Sequence, residues 1–308
     1  VTEHSPARPD GAPEEFGSAD YDDAARLDDA LPDFDWSIPP VGAVVDGVDA
    51  PSGRLARVAM GDPTAPRIVL VPGVTGSKED FSLMLPLLAA HGYRVESYDM
   101  AGQYESATAG PRPGAHYDHD LFVDDLLYVL ESGYAPAHVL GYSFAGTVTQ
   151  IAYAARPGLF ASITLLSTPP QPGQGFRGVK RIGPVSSFAT GRVGAALMIW
   201  GVRRNFTRVP PQRLAFVRAR FALTRRSSVA DIIRLMKRAP DMRSVLAASS
   251  VPKLVAVGEH DLWPLRLHAA FAEQIGARLA VYRTGHSPCE TSPHQLVRDL
   301  LRLYENAS

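Results

Sequence analysis

Gly141-Tyr142-Ser143-Phe144-Ala145-Gly146 stands between an apolar run, His138-Val139-Leu140, and a segment, Thr147 to Arg156, that carries Val148, Ile151, Ala152 and Ala155 at helical spacing. The run predicts a buried strand and the segment a helix. Strand, Gly-x-Ser-x-small turn and helix in succession make the setting in which a serine becomes a nucleophile. A turn this tight gives Ser143 a strained backbone and demands small neighbours. Gly141 and Ala145 meet that demand, and Gly146 lets the helix pack closely. The turn would lift the hydroxyl clear of a sheet and aim the Phe144 amide, at a helix N-terminus, toward an oxyanion formed there. Taken alone the string is weak, because glycine and serine are common in turns.

Working outward, strands and helices alternate. Val44-Val45 and Leu55 to Met60 predict two short antiparallel strands, and Arg67 to Val71 a buried strand ending at Pro72-Gly73. An amphipathic helix is expected over Phe81 to His91, closed by Gly92. A strand follows over Tyr93 to Met100, a helix over Asp120 to Glu131, and, after the serine turn, a strand over Ala161 to Leu166. From Thr168 to Val251 no central strand is expected, and the segment reads as several basic helices. Ser228-Val229-Ala230-Asp231 has the form of a capping box opening one of them. The alternation resumes with a strand at Leu254 to Val257, a helix at Leu265 to Gln274, a strand at Leu279 to Arg283 and a last helix at Pro293 to Tyr304. That order implies a mostly parallel sheet covered on both faces. A strandless block of this length is too long for a plain loop and reads as an inserted cap.

Bulk properties exclude several classes. The chain has 308 residues, 45% of them hydrophobic and 20% charged, with a net charge of −1. No global field favours nucleic acid or membranes, and no phosphate loop or metal-ligand spacing stands out. The single cysteine, Cys289, rules out an internal disulfide and a cysteine metal cluster. The longest apolar run, near Val193 to Val202, is too short to span a bilayer. With no Lys/Arg-led apolar segment at the start, the cytoplasm is the expected location. Charge is nonetheless uneven: residues 1–50 hold 13 acidic and 2 basic side chains, residues 168–250 hold 2 and 16. Residues 1–35 have few large apolar groups and are expected to be a disordered acidic tail. A core in two parts, 36–167 and 251–308, would then enclose a helical cap at 168–250. The tail and the basic cap could meet as a salt-sensitive lid, or the cap could attract an anionic substrate, or its charge could simply be a solvated face.

A serine hydroxyl needs a base within hydrogen-bond reach, and that base an orienting carboxylate. In an open α/β sheet these groups belong just past the carboxyl ends of strands. Asp261 follows the strand-like Leu254-Val255-Ala256-Val257-Gly258-Glu259-His260, and His286 lies in Thr284-Gly285-His286-Ser287-Pro288 after the next strand. Asp261 also reads as a helix N-cap before Leu262-Trp263-Pro264, which is compatible with the first role. His260 is a rival base and Asp99 a rival acid. The absence of Asp or Glu between Ser167 and Met198 leaves the position after the sixth strand without an acid. Cys289 reads as a small buried filler, with a second nucleophile as the alternative.

With these residues in place, the chain resembles the α/β-hydrolase superfamily, in its branch with a helical cap after the sixth strand, over about residues 50–305. Val71-Pro72-Gly73-Val74-Thr75-Gly76-Ser77 is similar to the family's first-loop motif, with Pro72 in place of its usual histidine. Asp99-Met100-Ala101-Gly102-Gln103-Tyr104-Glu105-Ser106 is similar to its Asp-x-x-Gly-x-Gly-x-Ser loop, with Tyr104 in place of a glycine, so that Tyr104 would narrow the entrance or face solvent. Gly258-Glu259-His260-Asp261 and Gly285-His286-Ser287-Pro288 are similar to the loops bearing the acid and the histidine. The resemblance implies Ser143 as nucleophile, His286 as base and Asp261 as orienting acid. The amides of Val74 and Phe144 would form an oxyanion hole. Thr75, Tyr142 and Trp263 are the candidate substrate contacts, and Met198, Ile199 and Trp200 would line a pocket or pack the cap on the core. The resemblance implies a cofactor-independent hydrolase acting on a small-molecule acyl substrate, first among them a carboxylic ester. A serine rather than an aspartate at the nucleophile position argues against epoxide hydrolysis and dehalogenation. Thioester, lactone, amide and C–C bond cleavage stay open, as does a non-catalytic, ligand-binding role.

Overall fold

Within Arg67–Val71 (β3), Ile68 and Leu70 pack on one side while Val69 and Val71 pack on the other, and all five residues are buried. A strand buried on both sides belongs inside a sheet with both faces covered. The computed structural model describes residues 18–173 and 210–305. The other strands are β1 (Val44–Ala50), β2 (Gly53–Met60), β4 (Arg94–Tyr98), β5 (Ala137–Tyr142), β6 (Phe160–Leu166), β7 (Lys253–Gly258) and β8 (Arg278–Tyr282). They form one sheet in the order β1-β2-β4-β3-β5-β6-β7-β8. β2 pairs antiparallel with β1 and β4; every later pairing is parallel. Val71 lies opposite Gly141, Tyr142 opposite Leu166, Leu166 opposite Ala256, and Gly258 opposite Tyr282. The carboxyl ends of β3, β5, β6, β7 and β8 therefore share one edge, where loops can bring distant residues together.

Two apolar layers sandwich the sheet. α2 (Met84–Ala90) and, after the short α9 (Pro288–Thr291), α10 (Pro293–Glu305) cover one face through Met84, Leu85, Leu88, Leu296, Leu300 and Leu303. α3 (His119–Glu131), α4 (Phe144–Ala155) and α8 (Leu265–Ile275) cover the other through Phe122, Leu126, Val148, Ala152, Phe271 and Ile275. Between β6 and β7 the described residues form helices α5 (Pro211–Leu223), α6 (Arg226–Met236) and α7 (Arg243–Ala247) and no strand. Ile232 and Met236 of α6 and Leu246 of α7 join the second layer. Among the described residues no helix is long and apolar enough to cross a membrane. Met198, Ile199, Trp200 and most of the basic segment lie outside the described residues.

Three local expectations need correction. The helix expected over Phe81 to His91 is split into a 3₁₀ turn, Lys78–Phe81, and α2. Pro86 sits in the first turn of α2, where its missing N–H is harmless, but its ring bars extension of the helix backward. Ser228 does not open α6, which begins two residues earlier. Its hydroxyl donates to the Ala101 carbonyl at 3.1 Å, and the Asp231 carboxylate accepts from the Tyr117 amide at 2.9 Å. Unpaired backbone groups of the core thus take the side chains a cap would have used.

The third concerns the amino-terminal segment. Residues 1–17 lie outside the described residues, but Ser18–Asp29 forms a helix, α1, rather than part of a disordered tail. Its order comes from contacts that composition does not register. Asp28 accepts from the His294 and Gln295 amides at 2.8 and 3.2 Å, capping α10. Trp36 is buried, stacked on Phe34 at 4.4 Å and over the Arg213 guanidinium at 4.3 Å.

Candidate active site

β5 ends at Tyr142 and α4 begins at Phe144, so Ser143 alone makes the turn, with φ 55° and ψ −118°. That conformation is strained for a residue with a Cβ. The strain is held by neighbours: the Ser143 amide donates to Leu166 O at 2.8 Å and its carbonyl accepts from the Gly146 amide at 3.0 Å. A Cβ on Gly141 would collide with Thr149 Oγ1 and the Ala145 carbonyl, which is why the turn requires glycine there.

The loops after β7 and β8 are laced together. Glu259 N donates to Tyr282 O at 2.7 Å and His260 N to Thr284 O at 2.9 Å. A Cβ on Gly258 would strike the Gly285 carbonyl, so the two loops touch backbone to backbone. This lacing brings Asp261 and His286 together. Asp261 is 3% exposed, and its carboxylate oxygens lie 3.2 Å from His286 Nδ1. A carboxylate only accepts, so Nδ1 is the donor of this contact. His286 Nε2 lies 3.3 Å from Ser143 Oγ. The rival groups fall elsewhere: His260 is exposed, and Asp99 is buried under Lys78, accepting from its amide at 2.7 Å. Burial pushes the Asp99 carboxyl up to about 7, against the pull of Lys78.

The first loop lies against the serine. A Cβ built on Gly73 would sit 3.0 Å from Ser143 Cβ. Gly76 N donates to Gly73 O at 2.9 Å, closing a turn through Val74 and Thr75, and Thr75 takes φ 60°. The amides of Val74 and Phe144 donate to no acceptor among the described residues. Free amides flanking a serine hydroxyl are what stabilisation of an oxyanion requires.

The remaining candidates divide. Thr75 is half-buried in the turn itself. Tyr142 and Trp263 are enclosed rather than open to a ligand. Tyr142 hydrogen-bonds through its hydroxyl to Ser287 Oγ at 2.8 Å, and its ring lies 5.4 Å from that of His286. Trp263 is 1% exposed, its amide 3.3 Å from Asp261 Oδ1 and its ring 5.8 Å from that of His286. Both rings stand beside the imidazole. Tyr104 is half-buried, its ring under Lys78 Nζ at 5.1 Å and edge-on to Phe216 of α5 at 5.7 Å. Cys289 is fully buried, and burial pushes its thiol well up, so it is held as the neutral thiol.

Several residues near the site carry no sequence signal. His268, fully buried in α8, places Nε2 4.0 Å from Asp261 Oδ1. Gln103 accepts from the Thr75 amide at 2.9 Å. Asp80, two residues into the 3₁₀ turn, meets Arg213 and Arg220 of α5, and Glu290 accepts from Arg213 Nε at 2.9 Å. Among the described residues no three His, Cys, Asp or Glu side chains gather in a group that could hold a metal ion.

Comparison with known proteins agrees with this architecture. A stretch of the chain is 36% identical over 130 residues to the "Probable oxidoreductase EphD" of Mycobacterium tuberculosis, covering 40% of this chain and 21% of that protein. The matched stretch thus spans about a fifth of the curated relative's length. Among solved structures, a carboxylesterase of Nitrososphaera gargenis superposes with a TM-score of 0.70 at 19% identity, covering 85% of this chain and 98% of that one. The haloalkane dehalogenase DbeA of Bradyrhizobium elkani gives 0.70 at 21%, covering 86% and 98%, and the enol-lactonase of Burkholderia xenovorans 0.67 at 19%, covering 84% and 100%. These identities speak to fold, which the three share across different chemistries. The model of the alpha/beta hydrolase family matches residues 68–300, and with the sheet order and the strand–serine–helix turn it shows that the chain belongs to the alpha/beta hydrolase family.

Proposed function

We propose that the protein is a serine hydrolase that cleaves an acyl bond of a small molecule, with a carboxylic ester as the leading substrate class. The observation that carries this reading is the placement of His286, with Nε2 3.3 Å from Ser143 Oγ and Nδ1 3.2 Å from the Asp261 carboxylate. A contact of 3.3 Å is long for a hydrogen bond, as such contacts often are before substrate tightens them. Ser143 attacks the carbonyl carbon as His286 Nε2 takes its proton. The tetrahedral oxyanion receives the amides of Val74 and Phe144. His286 then returns the proton to the departing alcohol, leaving an acyl-enzyme that water, activated by the same imidazole, hydrolyses. Asp261 keeps the ring in the tautomer these transfers need. Helices α5 to α7 act as the cap over the carboxyl edge of the sheet, with Thr75 as the candidate substrate contact beside the oxyanion turn.

The test is hydrolysis of p-nitrophenyl esters from acetate to decanoate, together with labelling by a fluorophosphonate. Wild type should label at Ser143 and turn over at least one ester, and Ser143→Ala should lose the label and at least ~10⁴-fold in kcat. A wild-type protein that neither labels nor hydrolyses would overturn the reading and leave a fold kept for binding. Thioester, lactone, amide and C–C substrates use the same Ser143 and would be told apart by substrate alone.

A further inference from the structure

We infer that Gln103 and Ser228 are positioning residues that hold the oxyanion turn in shape and tie it to helix α6, so that the seating of α6 is felt at the Val74 amide. The inference rests on the proposed role of that amide. Its starting point is Thr75, a β-branched residue at φ 60°. Such a residue is a backbone outlier that persists only when its surroundings hold it. The carboxamide of Gln103 helps to hold it, its Oε1 accepting from the Thr75 amide at 2.9 Å beside the Gly76–Gly73 bond that closes the turn.

The other end of the carboxamide reaches across 125 residues of sequence. Gln103 Nε2 donates to Ser228 Oγ at 2.6 Å, and the Ser228 hydroxyl passes its own proton to the Ala101 carbonyl at 3.1 Å. Each atom has one role: Thr75 N–H to Gln103 oxygen, Gln103 N–H to Ser228 oxygen, Ser228 O–H to Ala101 oxygen. The donor at Thr75 fixes which way the amide faces. Gln103 and Ser228 are both fully buried, so water does not replace a lost bond cheaply. The two residues that lead from α5 into α6 are fastened to the same loop, with Arg225 N on Gly102 O at 2.8 Å and Tyr104 N on Thr224 Oγ1 at 3.1 Å. A Cβ on Gly102 would lie 2.6 Å from Ser228 Cβ, which shows how closely the helix sits. Any displacement of α6 therefore pulls on Gln103, and through it on the turn that presents Val74.

A bond that only stabilised the fold would lower stability and leave the rate of the folded enzyme alone. A bond that positions an oxyanion donor changes the transition state, not the ground state. The experiment compares wild type, Gln103→Met, Gln103→Glu, Ser228→Ala and the Gln103→Met/Ser228→Ala double variant in the full chain. It reads kcat and KM on the best p-nitrophenyl ester and the rate constant for fluorophosphonate labelling. Gln103→Met keeps the length and loses the acceptor; kcat and the labelling rate should fall together by roughly 10- to 100-fold, with KM within about twofold. Gln103→Glu restores an acceptor for Thr75 and should recover most of the loss. Ser228→Ala should fall by about threefold, and the double variant no further than Gln103→Met, because both cut one chain. Wild type that labels while Gln103→Met labels equally fast would overturn this inference and leave the serine-hydrolase reading standing. Wild type that does not label would overturn both. If Gln103→Met fails to fold by circular dichroism, Ser228→Ala decides: labelling at the wild-type rate overturns the inference, and a loss supports it.

Discussion

Ser143, Asp261 and His286 meet because each lies in the turn or loop that follows a strand, at the same edge of the sheet, and that is legible from sequence. The serine turn needs small residues at fixed offsets, and the other two follow predicted strands in order. Gln103 is not legible in the same way, because its use is set by Ser228, a partner in a helix whose docking no local pattern encodes. His138 makes the same point for the core. It reads as one member of an apolar run, yet it is 7% exposed, hydrogen-bonded through Nδ1 to Ser162 Oγ at 2.8 Å and stacked on Tyr304 at 3.9 Å. Burial holds its imidazole down to about 4 from an ordinary 6.5, so it is neutral in the fold. Between those values the unfolded chain binds the proton and the folded protein does not. Stability from this group is therefore flat above pH 6.5 and falls as pH drops toward 4, by up to about 3 kcal/mol. His138→Gln keeps a polar partner for Ser162 and has no proton to gain. Urea unfolding at pH 7 and pH 4.5 should show wild type losing about 2 kcal/mol more than the variant over that interval; equal losses would mean His138 is protonated in the fold.

At the scale of elements, the strands are read well and the helix ends less so. β3, β5 and β7 are continuous apolar runs because both their faces are covered, and that pattern needs no knowledge of partners. The start of α2 and the role of Ser228 depend instead on Pro86 and on unpaired carbonyls elsewhere. The junction of α5 with the 3₁₀ turn after the first loop, Pro72 to Ser77, is the clearest case of an interaction invisible in sequence. Asp80 is 1% exposed and meets Arg213 Nη2 at 2.6 Å and the Arg220 guanidinium, while its other oxygen accepts from the Ser77 amide at 3.3 Å. Burial pushes the Asp80 carboxyl up, and Arg220 and Arg213 outweigh it, holding it below its ordinary value. Removing the charge takes the carboxylate from the buried Arg220 guanidinium and one of two from Arg213. Asp80→Asn should cost about 3 kcal/mol or more in urea unfolding at pH 7, the lower bound applying because Glu290 still pairs with Arg213. A loss below about 1 kcal/mol would place the pair in the class of exposed ion pairs.

For the whole molecule, the segment from Asp28 to Trp36 joins parts that the strand–helix rhythm keeps apart. Asp28 caps α10 on the sheet's first layer, Asp33 Oδ2 accepts from Gln212 N at the start of α5 at 3.2 Å, and Trp36 lies over Arg213. The low hydrophobicity of the first 35 residues conceals this, because the segment is ordered by surfaces it borrows rather than by a core of its own. Trp36 and Asp80 hold the same guanidinium from two sides, one by its ring and one by its charge. Trp36→Ala should cost about 3 kcal/mol for loss of a buried indole. Its combination with Asp80→Asn should fall short of the sum by at least ~0.5 kcal/mol, since once Arg213 has lost either partner it is free to move from the other. Asp28→Ala acts on α10 and shares no partner with Asp80, so that pair should add within ~0.5 kcal/mol. Urea unfolding of the four variants of each cycle measures both. Additivity in the first cycle would mean that the amino-terminal segment and the ion-pair junction are separate fastenings, and that Arg213 does not couple them.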